Sequence, residues 1–361
     1  MEIENRNKQA ADIYNQAHQP GALKQTKITQ HLKANRPPPR EPVKYFGTKN
    51  RFCKLRTLGK GTYGEVYECW DQFQQRIVAV KKLLKRRGER GIPATTVREI
   101  GILRSLKHTN IVKMLCIDQD RDGIYIVFEM MDIDLAHLIH HKPELFSTRN
   151  IKFITFQILM GVNYMHSKRI FHRDLKPANI LVDQAGKYIK IADFGLSRTI
   201  HQPFRPYSYQ ILTIWYRSPE MCLEKKCADY SIGVDVWSIG CIMAEMALGT
   251  ALFKGKENIE MLLQYFFVLG LPNKLEWPEA SERVREMNLN AFADSGKGKE
   301  IVERVRQTLG CMSFEERFKE LLGEQGFDIL RLMLALDPMK RVSCKEAMKH
   351  PFFDEVREML V

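Results

Sequence analysis

The sequence predicts an α+β protein in which a small β-rich part precedes a larger α-rich part. In residues 52–80, short runs rich in β-branched and aromatic residues alternate with Gly or polar turns, which is typical of consecutive antiparallel strands. After Asp134 the pattern changes to long segments with helical periodicity. The 361 residues are enough for about two domains, so a sizeable core can form.

The predicted elements follow one another in a definite order. Three strands come first, in the segments FCKLRTLG, GEVYECW and RIVAVKK. A helix is predicted next over TTVREIGILRSL, because apolar residues recur there at three-residue steps as one stripe. The residues of that stripe are Val97, Ile100, Leu103 and Leu106. Two more strands, IVKMLCID and GIYIVFEM, precede the long helical segments TRNIKFITFQILMGVNYMH and VDVWSIGCIMAEMALG.

Composition and charge exclude several classes of protein. Hydrophobic residues make up 44% and charged residues 27%, which excludes collagen-like, coiled-coil and wholly disordered chains. The net charge of +13 favours acidic or phosphorylated partners and ligands. The sequence contains neither an apolar stretch of about 18 residues that would predict a membrane span nor an apolar N-terminal signal peptide. The eight scattered cysteines include no CxxC pair, so we expect reduced thiols in an intracellular protein.

Residues 1–44 form a predicted disordered extension, because they are rich in Gln, Asn, Lys and Pro and contain Tyr14 as their one aromatic residue. The proline run at 36–40 is either a polyproline II ligand or a spacer. Residues 25–32 are similar to the motif that docks on the DNA sliding clamp, but they lack the paired aromatic residues that would anchor it.

A glycine-rich motif of the form GxGxxGxV lies between the first two predicted strands. Its residues are Gly59, Gly61, Gly64 and Val66. Glycines at these positions let the backbone approach phosphate oxygens closely. A dinucleotide-binding fold would need a helix after the glycines, whereas the following EVYECW is typical of a strand. Lys81 ends the third predicted strand, where its ammonium would reach those phosphates, and Glu99 on the predicted helix is placed to pair with it.

A second motif, FHRDLKPANIL, carries side chains at the spacing that phosphoryl transfer needs. Asp174 is placed to accept a hydroxyl proton from a substrate, and Lys176 to neutralise the transferring phosphoryl group. Asn179 is placed to bind magnesium. Asp193, in the sequence Asp-Phe-Gly after a predicted strand, supplies the second hard oxygen ligand that magnesium prefers.

These motifs together make residues 52–353 similar to the eukaryotic protein kinases. Three further residues fit the resemblance. Glu220, in Ser-Pro-Glu, looks like the end of the family's activation segment, and Arg341 resembles the arginine that pairs with it. Asp235 looks like the buried helix carboxylate that anchors the family's catalytic loop, which corresponds here to the motif FHRDLKPANIL.

The resemblance implies a two-lobed protein kinase fold with ATP and Mg²⁺ bound between the lobes. Residues 45–131 would form a small antiparallel-β lobe with one regulatory helix, and residues 132–361 a large, mainly α-helical lobe. The stretch 272–327 is longer than in compact members, and SGKGKEIVERVRQTLG within it predicts an added loop and helix. Such an insert either binds a regulator or is inert elaboration.

The resemblance also implies a set of nucleotide contacts. Phe128 would be the gatekeeper, Glu129 and Met131 would supply backbone hydrogen bonds, and Asp134 would lie near the ribose. Met131 and its neighbour Met130 are equally consistent with adaptable apolar packing. Besides the glycine motif with its Val66, and besides Lys81 and Glu99, the expected ATP-binding residues are Leu58, Ala79 and Leu181.

Two segments narrow the resemblance to the cyclin-dependent kinases. ERGIPATTVREI resembles the helix that contacts cyclins, and TIWYRSPE resembles the proline-directed group. Lys176 and Thr213, both expected at the catalytic site, together resemble the serine/threonine branch. The implied reaction transfers the γ-phosphoryl group of ATP to Ser or Thr before Pro on protein substrates, with a cyclin-type regulatory subunit, in the cell cycle or in transcription.

Regulatory residues follow from the same resemblance. Thr62 and Tyr63 match the pair whose phosphorylation inhibits cell-cycle members, because it places negative charge beside the ATP phosphates. Ser208 lies where the activating phosphothreonine would be, or is an ordinary loop serine. The expected phosphate clamp consists of Arg98, Arg173 and Arg198. Activating and inhibitory kinases are therefore expected partners, without direct nucleic-acid or membrane contact, and the expected localisation is nucleus and cytoplasm.

Two alternatives stay open. MAP kinases need a Thr-x-Tyr pair, whereas the corresponding residues here are Ser208, Tyr209 and Gln210, and Gln210 cannot carry a phosphate. Together with PATTVRE, this favours a cyclin partner over a MAP kinase cascade. An enzyme of MAP kinase type, active once phosphorylated and without a cyclin, is the first alternative. A kinase-fold scaffold without catalysis is the second, although every catalytic position is filled.

Overall fold

A computed structural model describes residues 44–61, 64–83, 94–121, 123–183, 185–194, 197–199, 214–223, 232–272, 274 and 277–360. For residues 94–99 and 198–199 the description covers the backbone. The predicted extension at 1–43 lies outside the described residues, as do Thr62, Tyr63, Ser208 and Thr213.

The small lobe contains a six-stranded sheet in which every neighbouring pair is antiparallel. The strands lie in the order β1-β2-β3-β4-β6-β5. They are β1 (Tyr45–Phe46), β2 (Phe52–Gly61), β3 (Gly64–Asp71), β4 (Arg76–Leu83), β5 (Met114–Asp120) and β6 (Gly123–Glu129). A 3₁₀ turn at Thr48–Asn50 follows β1, and helix α1 (Ala94–Ser105) precedes β5. The predicted antiparallel strands and the helix that follows them are confirmed.

Alternation along β4 separates the two faces of this sheet, because successive side chains of a strand point to opposite sides. Val78 and Val80 are fully buried in an aromatic-rich cluster that Phe46 of β1 joins. Ala79 and Lys81 lie on the opposite face, where Ala79 is partly exposed and Lys81 is buried. One face therefore holds a core, and the other faces the large lobe.

The large lobe is mainly helical. Its helices are α2 (Leu135–His141), α3 (Thr148–Ser167), α4 (Pro219–Cys222), α5 (Gly233–Leu248), α6 (Asn258–Leu269), α7 (Pro278–Glu286), α8 (Leu289–Asp294), α9 (Gly296–Thr308), α10 (Phe314–Met333), α11 (Cys344–Ala347) and α12 (Asp354–Leu360), with 3₁₀ turns at Pro143–Leu145, Pro177–Asn179 and Pro351–Phe353. Helix α10 is broken at Gly323, where φ is 75°. Within the described ranges, every helix is too short or too polar to cross a membrane.

Helix α5 is the centre of the large lobe. It is buried from Gly233 to Met246 and packs against α3 and α10. Gly240 lets α10 approach closely, because a Cβ at that position would lie 2.8 Å from the Leu334 side chain. A helix that is covered on all sides leaves no water for its polar groups, so its buried carboxylates, Asp235 and Glu245, need partners within the protein.

Short strands line the boundary between the lobes. They are β7 (Ile133–Asp134), β8 (Ile170–Phe171), β9 (Ile180–Val182), β10 (Ile189–Ile191) and β11 (Arg198–Thr199). β9 lies between β7 and β10, and β8 pairs with β11. Ile191 ties β10 to the segment before β5, since the Val112 amide donates to its carbonyl oxygen and its own amide donates to Asn110, both at 2.9 Å. The two-lobed kinase fold that the sequence predicts is therefore confirmed.

Candidate active site

The glycine-rich motif forms the tip of the β2–β3 hairpin. Gly59 pairs with Val66, and Gly61 pairs with Gly64. A side chain at Gly64 cannot be accommodated, because a Cβ there would lie 2.2 Å from a backbone carbonyl oxygen of β4. At Gly59 the Cβ position has no heavy atom within 4 Å. Leu58, which is 40% exposed, precedes Gly59 at a register shift. Gly59 therefore leaves free the space that a side chain would occupy.

Lys81 lies on β4 and has a neighbouring strand on each side. It pairs with Val66 of β3 and Ile126 of β6, so the sheet fixes its backbone. Only 9% of the residue is exposed, and its Nζ lies 3.3 Å from Asp193 Oδ1. This contact joins the two lobes across the cleft. Glu99, the partner predicted for Lys81, lies on α1, but its side chain is outside the described part of the structure.

Strand pairing brings the residues expected around a purine into register. Ala79 pairs with Phe128, and Asp134 pairs with Leu181. All four residues are partly buried. Asp134 also caps α2, because its Oδ1 accepts a hydrogen bond from the His137 amide at 2.8 Å. A ribose contact from Asp134 would therefore use Oδ2.

Glu129 connects the small lobe to the large lobe beside the expected purine site. Its Oε1 accepts a hydrogen bond from the Lys113 amide at 2.7 Å and lies 3.0 Å from Lys190 Nζ of β10. Lys190 also donates to the Thr109 carbonyl oxygen at 2.9 Å. The Glu129 amide donates to Lys113, so a purine contact from Glu129 would use its carbonyl oxygen. Met131 is partly buried two residues further along the chain.

Asp174, Lys176 and Asn179 form one cluster. Lys176 Nζ lies 2.9 Å from Asp174 Oδ2. The side-chain nitrogen of Asn179, Nδ2, donates to that same oxygen at 3.1 Å and to the Asp174 backbone carbonyl oxygen at 2.7 Å. Because the nitrogen of this side-chain amide is directed at Asp174, its oxygen points the other way. The Asp174 side chain is 14% exposed, so these contacts are less screened than contacts at the surface.

His172 links this cluster to Asp193. Its Nε2 donates to the Ala192 carbonyl oxygen at 3.0 Å, which leaves the Nδ1 lone pair to accept the Asp174 amide at 3.3 Å. The Ala192 amide donates in turn to the Asn179 carbonyl oxygen at 2.9 Å. Asp193 is the next residue, so the two expected magnesium ligands lie on segments that are hydrogen-bonded to each other.

Asp235, in the first turn of α5, is fully buried beneath the catalytic loop. Its Oδ1 accepts the Arg173 amide at 2.8 Å, and its Oδ2 accepts the His172 amide and His166 Nε2, both at 2.9 Å. Burial alone would raise the pKa of this carboxyl group, but the hydrogen bond and charge of His166, with the backbone amide, lower the pKa below its usual value. The carboxylate therefore holds the catalytic loop to the core, as predicted.

Arg173 and Asp193 have left-handed backbone conformations, with φ angles of 70° and 62°. Residues other than glycine rarely adopt this region, and such strain concentrates at functional sites where surrounding contacts maintain it. Here the contacts are the hydrogen bond from the Arg173 amide to Asp235 and the ion pair between Asp193 and Lys81. One strained residue therefore lies in each of the two segments, the one that carries Asp174 and the one that carries Asp193.

The expected phosphate clamp is described in part. Arg173 lies on the catalytic loop with its side chain described, whereas Arg98 on α1 and Arg198 on β11 are described by their backbone. β11 pairs with β8, with Arg198 opposite Phe171. Ser208 lies outside the described residues, so the convergence of the three arginines on it stays a prediction.

Arg341 and Glu220 form the ion pair that the sequence predicts. The Arg341 guanidinium contacts both carboxylate oxygens of Glu220, at 2.9 and 3.1 Å. The Arg341 side chain is fully buried, donates to the Gly233 carbonyl oxygen at 2.8 Å and lies 5.2 Å from the Trp237 ring centre. A buried charge with this many partners holds the end of the activation segment against α5.

Sequence reasoning missed the linking roles of His166, His172 and Lys190. An isolated histidine or lysine has no local pattern that names its partner, and each of these side chains acts on a residue far along the chain. The one available signal was the position of His172 inside FHRDLKPANIL, after an apolar residue and two residues before Asp174. Its buried side chain contacts both Asp174 and Ala192.

The donor set fits a magnesium ion. The side-chain oxygen of Asn179 points away from Asp174, and the Asp193 side chain is 45% exposed, so both offer hard oxygen ligands on adjoining segments. Magnesium needs few protein ligands when phosphates and water complete its coordination. Among the residues described, no three His, Cys, Asp or Glu side chains are grouped to hold a metal ion, so a metal here would depend on substrate oxygens.

The glycine-rich hairpin, the buried Lys81 and the Asp174 cluster carry the residues that the sequence predicts for a phosphoryl-transfer site. Residues 52–353 match the protein kinase domain family. The chain is 35% identical over 317 residues to cell division control protein 2 homolog 2 of Trypanosoma brucei brucei, which covers 88% of this chain and 86% of that protein. It is 36% identical over 309 residues to cell division control protein 2 homolog 1 of the same organism, covering 84% and 98%. The chain therefore belongs to the protein kinases, in the cyclin-dependent kinase family.

Proposed function

We propose that this protein is a cyclin-dependent serine/threonine kinase that transfers the γ-phosphoryl group of ATP to Ser or Thr before Pro. Membership of the protein kinase family implies ATP as the phosphoryl donor. The observation that supports transfer most directly is the cluster of Asp174, Lys176 and Asn179, which is hydrogen-bonded through His172 to the segment that bears Asp193. These hydrogen bonds connect the residues proposed to take the hydroxyl proton and to offset the phosphoryl charge with the two segments proposed to bind the metal ion.

In this mechanism Asp174 orients the acceptor hydroxyl and takes its proton. The acceptor oxygen bonds to the γ-phosphorus while the bond to the leaving diphosphate oxygen breaks. Lys176, 2.9 Å from Asp174, offsets the negative charge that develops on the phosphoryl oxygens. Lys81 holds the remaining phosphates, because its strand fixes it beneath the glycine turn.

Asn179 and Asp193 are the residues that would hold magnesium. When bound, the ion neutralises phosphate charge and orients the phosphate oxygens. The hydrogen bond from the Ala192 amide to Asn179 keeps the two ligand-bearing segments at a constant separation. Because Asn179 also donates to Asp174, one hydrogen-bond network would set the positions of both the magnesium ion and the catalytic base.

Regulation and specificity form the finer part of the proposal. The segment PATTVRE at 93–99 supports a cyclin-type partner, and the names of the two relatives support a role in cell division. Residues 214–217, in the motif TIWYRSPE, would contact the substrate residue after the acceptor. Phosphorylation would activate at Ser208 and inhibit at Thr62 and Tyr63, in a protein shared between nucleus and cytoplasm.

The decisive experiment measures phosphate transfer from ATP to a Ser-Pro peptide by the full chain, purified from cells with its bound partners. We expect Asp174→Asn to lower kcat by about 10²-fold to 10⁴-fold, the range that a general base contributes. Asp354→Asn is the matched control, because Asp354 lies on the surface and pairs with Arg357. That variant should keep the wild-type kcat.

Three outcomes would change the proposal. Equal kcat values for wild type and Asp174→Asn would contradict the catalytic assignment. Full activity of a preparation in which mass spectrometry finds no cyclin would favour the MAP-kinase-like alternative. Magnesium-dependent ATP binding without any transfer, even with a cyclin present, would favour a scaffold.

A further inference from the structure

Helix α9, within the stretch 272–327, contacts α6 at both of its ends. At one end Lys297 Nζ lies 2.7 Å from Glu260 Oε1. At the other end the Arg306 guanidinium lies 5.4 Å from the Phe267 ring centre. Ile301 is buried between these contacts. The helix therefore runs along α6 with a charged side chain in contact at each end and a buried apolar residue between them.

The sequence Ser-Gly-Lys-Gly sets the position of Lys297. Ser295 is the N-cap of α9, and its hydroxyl oxygen accepts the Gly298 amide at 3.1 Å. A Cβ at Gly298 would lie 2.2 Å from the Phe292 carbonyl oxygen, so a side chain there would push α8 and α9 apart. Lys297 lies between the cap and this close approach, in the first turn of α9.

Glu260 is a buried carboxylate that depends on this lysine. It is 3% exposed, and its Oε2 accepts the Lys256 amide at 2.9 Å. Burial alone would raise the pKa of Glu260, but the Lys297 ammonium and the Lys256 amide hold the pKa below its usual value. Removing the cation would leave a buried carboxylate with weaker compensation, which is a costly state.

Glu260 and Gln264 together hold the loop before α6. Glu260 binds the Lys256 amide, and Gln264 binds both backbone groups of Lys254, accepting from its amide at 2.8 Å and donating to its carbonyl at 2.9 Å. Between them lies Gly255, whose carbonyl oxygen accepts Trp215 Nε1 at 3.0 Å. The loop is thus fixed on both sides of the one carbonyl group that binds Trp215.

Residues 215–217 are attached to α6 by two further contacts. The Tyr265 hydroxyl donates to the Arg217 carbonyl oxygen at 2.6 Å, and the Arg217 guanidinium donates to Asn258 at 3.3 Å. Both partners belong to α6, the same helix that carries Glu260. The position of Trp215 and Arg217 is therefore set by α6 and its preceding loop.

We infer that Lys297 is a positioning residue for protein-substrate recognition, acting through Glu260 and the loop 254–256 on the side chain of Trp215. This inference rests on the proposed function, in which residues 214–217 contact the substrate. In this role helix α9, part of the stretch 272–327, holds residues 214–217 in place; we call these residues the recognition segment. ATP binding and the catalytic cluster lie on other segments, so they should be insensitive to Lys297.

Steady-state kinetics of the partner-bound full chain, with a Ser-Pro peptide and ATP varied separately, tests this inference. We expect Lys297→Met to raise KM for the peptide about threefold to tenfold, the range for residues that transmit coupling. KM for ATP and kcat should stay within about twofold of wild type. Lys297→Arg should restore the peptide KM, because it restores the charge beside Glu260.

Lys299→Met is the matched control, because Lys299 is an exposed lysine on the same helix. Its peptide KM should equal that of wild type. Glu260→Gln should raise the peptide KM as Lys297→Met does, and the double variant should add little, since both changes break one contact. An unchanged peptide KM in Lys297→Met would overturn the inference, and so would a joint loss of kcat, ATP affinity and melting temperature. Absence of transfer by wild type would overturn the proposed function itself.

Discussion

The two buried carboxylates of α5 have pKa values shifted in opposite directions. Asp235 accepts two backbone amides and an imidazole, and its pKa lies below the usual value. Glu245, near the other end of the helix, accepts the Tyr216 hydroxyl at 2.6 Å. Burial raises its pKa above the usual value, although the hydrogen bond from Tyr216 and the charges of His140 and Lys254 oppose this.

The difference shows that hydrogen-bond donors, and not burial alone, decide the charge of an interior carboxyl group. Asp235 is surrounded by donors that favour the ionised form, so it can attach the catalytic loop by charge. Glu245 binds a hydroxyl group, which either protonation state can do. The catalytic loop is therefore held by two backbone amides that donate to a charged carboxylate, and residues 214–217 are held at Tyr216 by a contact that needs no charge.

Among substitutions at these two carboxylates and their partners, Asp235→Asn should cause the largest loss of stability and activity. The substituted side chain keeps one accepting oxygen, but its NH2 group faces a backbone amide that also donates, so the catalytic loop loses part of its anchor. We expect a loss of about 3–5 kcal/mol in the free energy of unfolding, as for other broken buried charge networks, measured by urea denaturation. We also expect kcat to fall more than about 100-fold, because the Asp174 amide is held through His172.

The dependence of stability on acidic pH separates the anchoring role of the Asp235 charge from simple packing. Because the folded-state pKa of Asp235 is depressed, its contribution is full above the unfolded value of about 3.9 and is lost as pH falls through the folded value. Acid unfolding of wild type should therefore be steeper below about pH 4 than that of Asp235→Asn. Wild-type kcat in Asp235→Asn would contradict the anchoring role.

A smaller effect should follow from Tyr216→Phe, which leaves Glu245 buried without its hydroxyl donor. The expected cost is about 1–3 kcal/mol in the free energy of unfolding, the range for a buried polar group that loses its partner. The folded-state pKa of Glu245 is raised, so its contribution is full below the unfolded value and is lost as pH rises through the folded value. Melting temperatures at pH 5 and pH 8 should show the larger loss at pH 8, and the reverse order would contradict this account.

The smallest effect should come from Glu245→Gln. The new amide oxygen still accepts the Tyr216 hydroxyl, and the side chain no longer has to ionise in the interior. At pH 7.5 we expect a change within about 1 kcal/mol, neutral or stabilising, measured by thermal unfolding. A loss as large as that of Asp235→Asn would show that Glu245 also acts as a charge and would remove the contrast between the two ends of α5.

Local patterns in the sequence account for the secondary structure and for the choice of candidate catalytic groups. Alternation around Val78, Val80 and Lys81 predicts a strand with one buried face, and the structure has it. The spacing of Asp174, Lys176 and Asn179 brings three side chains together because a 3₁₀ turn closes a short loop. Such contacts lie within a few residues of one another, so local rules are sufficient to find them.

Contacts between residues far apart in the sequence were either indicated by the family resemblance or missed. The pair of Arg341 and Glu220 spans 121 residues, and only the resemblance indicated it. Lys190 beside Glu129, and Lys297 beside Glu260, had no signal, because a lysine on a strand or in a first helical turn is ordinary in itself.

The sequence by itself determined the order of strands and helices, the glycine-rich hairpin and the candidate catalytic side chains, since each depends on periodicity or spacing over a short stretch. The two-lobed fold followed from the family resemblance that these motifs carry. Only the tertiary structure decided which buried charges meet. Asp235 and Glu245 have the same chemistry and lie on one helix, yet the fold surrounds the first with donors and gives the second a single hydroxyl. The physical reason is that electrostatic free energy depends on distances between groups far apart in the chain, which folding alone brings together.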